Sequence, residues 1–155
     1  MIKMYKPTLD DLWFRERLMS DPDTMSYNNA WGGTISFPKE EWNEWYQDWL
    51  QNSSGSRFYR YLQLETTEEF VGEIAYHFDA RRDIYIADII VLAEYRGRGY
   101  GSEGILLLCN AAKENGITIL HDDIAAGNPS VSLFLKNGFS VDYQTSEIVM
   151  VKKKL

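Results

Sequence analysis

Cysteine is nearly missing from this sequence: Cys109 is the sole one among 155 residues. A single thiol excludes an internal disulfide and a cysteine-cage metal site. No apolar run approaches the ~18 residues that a membrane-spanning helix needs. Residues Met1 to Pro7 lack the apolar stretch of a secretion signal, so the expectation is a cytoplasmic chain with no membrane partner. Repeats, low-complexity tracts and Gly/Ser linkers are missing too, which predicts one domain over residues 1–155. Positive charge is short: 16 basic residues against 23 acidic ones leave a net charge of -7. Nucleic-acid binders draw affinity from a basic surplus, so no nucleic-acid partner is expected. An acidic surface instead attracts cations, amines among them.

What the chain does have is aromatic mass, at 14 %, with 5 Trp and 10 Tyr. Ile2 to Tyr5 reads as a strand. Thr8 with Asp11 three residues on forms a capping-box pattern for a helix that stops before Pro22. Residues 21–38 are rich in Gly, Asn and aromatics without a period and predict a loop or broken helix. Trp42, Trp45, Tyr46, Trp49 and Leu50 fall at helical spacing, a stripe read as packing. Arg57 to Glu65, Phe70 to Phe78 and Asp83 to Leu92 predict an antiparallel meander of three strands. Ser102 to Asn115 reads as a helix with Ile105, Leu108, Cys109 and Ala112 on its buried face. Ile117 to Ile124 follows as a strand, and Asn128-Pro129 opens a helix that Gly138 ends. Phe139 to Tyr143 and Glu147 to Lys153 predict a final strand pair. The fold class is α+β: a mixed, mostly antiparallel sheet flanked by helices on both faces, with one βαβ unit.

The segment Arg96-Gly97-Arg98-Gly99-Tyr100-Gly101-Ser102 lies between a strand and a helix. Glycines allow close backbone approach, and the free amides of a helix N-terminus favour an anion. Two arginines add donors suited to phosphate. Arg96, Gly99 and Gly101 match the Arg/Gln-x-x-Gly-x-Gly/Ala pattern, and Asn128 opens a helix that runs to Gly138-Phe139. These two motifs, in this order, resemble the GNAT superfamily of acyl-CoA-dependent N-acyltransferases. The resemblance implies a GNAT-like domain using acetyl-CoA as cosubstrate and transferring acetyl to a primary amine; polyamines, amino sugars, amino acids and protein N-termini all fit, and the acidic balance favours a cationic small molecule. It implies that the amides of Arg98, Gly99, Tyr100, Gly101 and Ser102 hold the pyrophosphate, in a cofactor-binding loop that Arg96 and Gly97 begin. It further implies that the backbone of Val91, Leu92 and Ala93 pairs with the pantetheine arm, and that Asn128 bonds to that arm. A homodimer is admitted as a further partner.

Phe134 stands where the family often has a tyrosine acid for the departing thiol. A thiol of pKa ~8.5 leaves tolerably as thiolate. The phenylalanine also raises the alternative of a non-catalytic acyl-CoA-binding module. A second alternative is a dinucleotide-binding domain, from Gly97-x-Gly99-x-x-Ser102 and an acid at Asp122 or Asp123. An alkyl amine of pKa ~10.4 needs a base at neutral pH. Glu73, on a strand whose Val71, Ala75 and His77 are expected to share its face, is one candidate, and Asp88 is the other. Tyr27, Asn28 and Trp31 lie in a polar aromatic loop, and the resemblance implies that this region covers the acceptor pocket and contacts the acceptor. His121, Asp122 and Asp123 read as strand-end polar residues, and no metal site is expected.

Overall fold

A computed structural model describes residues 1–155, the side chain of Ala30 excepted. Seven strands form one sheet: β1 (Ile2–Tyr5), β2 (Arg57–Leu64), β3 (Phe70–Asp79), β4 (Ile84–Val91), β5 (Ile119–Ala125), β6 (Ser140–Gln144) and β7 (Ile148–Lys154). Their order across the sheet is β1-β2-β3-β4-β5-β7-β6. Only β4 and β5 run parallel, joined by the right length of helix to cross over: α3 (Tyr100–Glu114). The remaining helices are α1 (Trp13–Ser20), α2 (Trp42–Tyr46) and α4 (Ser130–Lys136). One parallel pair in an otherwise antiparallel sheet is not a doubly wound dinucleotide fold, so that alternative falls.

The sheet buries both faces. On one, Ile74, Tyr76 and Ala87 pack with Ile105, Leu108, Cys109 and Ala112 of α3 and with Phe134 of α4. On the other, Tyr59, Tyr61, Ala75 and Ile90 pack under Phe14 and Leu18 of α1, with Trp45 and Trp49 half-buried beside them. The stripe expected on α3 is therefore its core face. A Cβ on Gly104 would lie 2.7 Å from Ile89 Cδ1, so this glycine lets α3 sit close to the sheet.

Local signals explain most boundaries. Asp11 Oδ2 accepts from the Thr8 N–H at 2.9 Å and the Tyr5 hydroxyl at 2.7 Å, which pins the first turn after β1. That turn, Leu9–Leu12, is 3₁₀ before α1 begins. Residues 21–38 are a broken helix in fact: a 3₁₀ stretch, Thr24–Trp31, ended by Gly32 at φ 108°. The helix expected from Lys39 onward is real but uneven, with a 3₁₀ turn, then α2, then a π turn at Gln47–Gln51. Helix α3 starts at Tyr100, two residues before the sequence expectation, because Gly99 at φ 87° turns the chain directly into it.

One strand expectation is corrected. Val71 does not share a face with Glu73; it packs with Ile74 and Tyr76 on the α3 side. Leu62 pairs with Gly72 while Gln63 pairs with Phe70, so Val71 is the extra residue of a β-bulge, and the alternation slips there.

Candidate active site

Pairing between β4 and β5 consists of Tyr85 with Leu120 and Ile86 with His121. Beyond that point β4 continues from Ala87 to Val91 and β5 from Asp122 to Ala125, and the two strands part. In the β3–β4 ladder Leu92 N–H donates to the Val71 carbonyl at 2.9 Å. Antiparallel alternation then turns the N–H and C=O of Val91 and Ile89 away from β3, toward the opening. The opening is the mouth of a cleft of about 810 Å³, within the usual size range of ligand sites.

One end of the cleft is the glycine turn. Gly97 and Gly99 have φ of 78° and 87°, values that L side chains rarely adopt. A Cβ on either would meet no atom within 4 Å, so the space above them is open. Arg96, Gly97, Gly99, Tyr100, Gly101 and Ser102 all border the cleft, as does Asn128. Asn128 Oδ1 accepts from the Ser130 N–H at 2.9 Å, so its side chain also caps α4. The arginines do not behave alike. Arg96 turns to the 3₁₀ stretch, donating to the Thr24 carbonyl at 2.7 Å and the Asp23 carbonyl at 3.3 Å. Arg98 lies outside the cleft lining, over the ring of Tyr95. Of the three expected pantetheine-pairing residues, Val91 borders the cleft. The N–H groups of Leu92 and Ala93 are already engaged, the latter donating to Thr24 Oγ1 at 3.0 Å.

The two candidate bases separate. Asp88 borders the cleft, whereas Glu73 is 2 % exposed and sits behind the wall. Burial pushes Glu73 up to about 7, against the pull of Arg15. Asp88 meets water in the cleft but is walled by protein, and that crowding raises its pKa, opposed by Arg15 and His77. Tyr27 and Trp31 reach the cleft, while Asn28 is spent on the loop itself, donating to the Gly33 carbonyl at 2.8 Å. Burial, then Asp88, holds Tyr27 far above an ordinary tyrosine, so it stays neutral and is a poor acid. Phe134 is 1 % exposed and packs edge-on against Phe139, offering no proton.

Asp122 and Asp123, read as strand-end residues, border the cleft too. A strand whose edge forms a wall presents both of its faces to the gap, so alternation does not separate them. Burial and the neighbouring Asp88 raise Asp122 well above the carboxylate range. Within the sequence of β5 nothing marks this acidic wall, because it exists only where β4 and β5 part beyond Ile86 and His121. Among the described residues no three metal-ligating side chains cluster, and no helix is long and apolar enough to cross a membrane.

A mostly antiparallel seven-stranded sheet, opened beside its one parallel pair and flanked by helices, is the GNAT fold. The model of the acetyltransferase (GNAT) family matches residues 16–139, and the chain belongs to that family. No curated protein matches the sequence. Solved structures share the fold at low identity. PaiA N-acetyltransferase from Thermoplasma acidophilum, solved in complex with coenzyme A, is 17 % identical with a TM-score of 0.70, over 100 % of this chain and 99 % of that one. Ribosomal-protein-alanine N-acetyltransferase from Brucella melitensis is 22 % identical with a TM-score of 0.75, over 100 % and 99 %. An acetyltransferase from Agrobacterium tumefaciens is 15 % identical with a TM-score of 0.75, over 99 % and 91 %.

Proposed function

We propose that this GNAT-family domain transfers acetyl from acetyl-CoA to the primary amine of a small molecule, by direct attack within a ternary complex. The carrying observation is the β4–β5 opening that runs into the open glycine turn at Gly97 and Gly99. The residues fit the cosubstrate: amides from Gly97 to Ser102 suit a pyrophosphate, the free β4 edge at Ile89 and Val91 suits an extended amide arm, and Asn128 borders the same cleft. When bound, acetyl-CoA supplies an activated acyl carbon and a thiol leaving group.

Asp88 takes the proton that the acceptor ammonium must lose, since of the two candidate bases it is the one on the cleft wall. One of the two free N–H groups of that edge, Ile89 or Val91, donates to the oxygen on which negative charge develops during attack, and the other serves the arm. The Phe134 wall leaves the thiolate to depart unprotonated. A covalent acyl-enzyme is not part of the scheme, because Cys109 is packed in the α3 core and burial pushes its thiol up. Calorimetry with acetyl-CoA, followed by thiol release with an amine panel, tests this reading. Binding with amine-dependent thiol release supports it; binding without release for any amine leaves the non-catalytic module in its place.

A further inference from the structure

Strand alternation sets two acids on opposite faces of the β4–β5 opening. Asp88 pairs with Ala75 and lies two residues from Ile90, and both of those pack on the face under α1. Tyr27, from the loop proposed to meet the acceptor, packs on that face as well. Asp122 stands two residues from both Leu120 and Ile124 and directly opposite Val151 of β7, and all three of these lie in the core under α3 and α4. That second face carries the glycine turn that leads into α3, the Asn128 cap of α4, and Phe134. Asp88 is therefore on the side of the loop, and Asp122 on the side proposed for the cosubstrate. Both border the one cleft, with Phe134 in its wall.

An acid on an apolar face needs a partner or a use. Asp122 has no cationic partner: Arg82 bonds to its neighbour Asp123 instead, at 3.2 Å. The cations of the cleft wall, Arg96 and Lys136, form no ion pair with it among the described residues. The groups that act on it are acidic: Asp88 across the opening, Asp123 next in the strand, and Tyr27 of the 3₁₀ stretch. Burial first, then Asp88 and Asp123, hold its carboxyl in the acid form well past the usual carboxylate range. Asp88 is raised too, but Arg15 and His77 pull it back. Two carboxyls whose surroundings push them apart suit opposite roles, one as base and one as acid.

Resting on the acetyl-transfer reading, we infer that Asp122 hands a proton to the sulfur that leaves past Phe134. The carbon–sulfur bond breaks with its electron pair on sulfur; that pair then takes the Asp122 proton and leaves Asp122 as a carboxylate. Until the acceptor nitrogen has shed its second proton, an unprotonated sulfur can add back to the acyl carbon. A thiol is a far poorer nucleophile, so protonation closes the return path. Asp88 passes both nitrogen protons to solvent, and Asp122 takes one back after the thiol has gone. The sum is one proton on sulfur and one released.

The first test is on the free chain. By carbon NMR the Asp122 carboxyl, assigned by its loss in Asp122→Asn, should still be protonated at neutral pH, with Asp88 titrating below it. Asparagine keeps the size and neutrality of that acid, so the melting temperature should hold. The second test is thiol release from acetyl-CoA with two amines of different pKa. Asp122→Asn should lower kcat about 10-fold near neutral pH with acetyl-CoA affinity unchanged. That is less than the ~10²–10⁴ of a general acid, because a thiolate already leaves tolerably. The deficit should fade as pH rises toward the thiol pKa of ~8.5, at the same pH for both amines, whereas a lost base would track the amine. Adding Phe134→Tyr, which puts a phenol on the same wall, should restore part of the rate. An ionised Asp122 at neutral pH in the free chain, or an undiminished kcat in Asp122→Asn, overturns this inference and leaves acetyl transfer standing. So does a deficit that is equal at every pH and untouched by Phe134→Tyr, the signature of a structural carboxyl. No thiol release with any amine from the unaltered chain, despite acetyl-CoA binding, overturns the acetyl-transfer reading itself.

Discussion

The Arg96 guanidinium donates to the Thr24 carbonyl at 2.7 Å, tying the first residue of the glycine turn to the 3₁₀ stretch that carries Tyr27 and Trp31. The two ends of the cleft are therefore coupled through one side chain. Arg96→Ala should lower stability by about 1 kcal/mol, discounted for the exposure of the arginine, or roughly 2–4 °C in melting temperature. It should also raise the acceptor KM, which thermal unfolding and steady-state kinetics on one preparation would show together. A variant with weaker acetyl-CoA binding and an unchanged acceptor KM would contradict the coupling.

Gly99→Glu should abolish acetyl-CoA binding with the fold intact. The backbone there has φ 87°, so any side chain costs about 1 kcal/mol. The added carboxylate would also fill the open space over the turn and repel phosphate. Titration calorimetry reads the loss, and circular dichroism the retained fold.

Asp88→Asn should keep acetyl-CoA affinity and lower kcat/KM by ~10²–10⁴ near neutral pH. The defect should shrink as pH approaches the acceptor's own pKa, since free amine then forms without help. A defect of the same size at every pH would make Asp88 structural.

Glu73 gives a stability signature. Its pKa rises on folding from 4.5 to about 7, mainly through burial. The native state therefore holds a proton that the unfolded chain has released, and stability falls as pH climbs from about 4.5 through about 7. A gap of that size corresponds to at most roughly 3 kcal/mol. Glu73→Gln should flatten the dependence of melting temperature on pH across this window. An unchanged slope would mean that the carboxylate is stabilised by a partner in the folded protein.

Motif and period carried far in the sequence. The glycine turn, the α3 stripe, the meander and the Asn128 cap are local patterns, and each is found where its residues stand. What was not legible depends on pairing across distance. The bulge at Val71 arises because β2 and β3 slip register by one residue, which no alternation within β3 announces. The cross-strand row of Tyr59, Ala75 and Asp88 needs three strands in register, which no single stretch of sequence announces. Glu73 looked as accessible as Asp88 because depth behind a wall is not encoded in strand period. Asp122 and Asp123 read as a strand end from β5 alone, because the parting of β4 from β5 is not encoded there.

The parting of β4 from β5 also has a mechanical side. Strands β1 to β4 and strands β5, β7 and β6 are two half-sheets whose backbones meet only at Tyr85 with Leu120 and Ile86 with His121. Force applied across the sheet concentrates on that short seam, while α3, the chain's longest helix, spans the gap as a strap. An extended arm bonded to the free edge at Ile89 and Val91 lengthens the seam. On the proposed binding mode the cosubstrate would act as a rivet, and single-molecule pulling is expected to need more force with acetyl-CoA than without it.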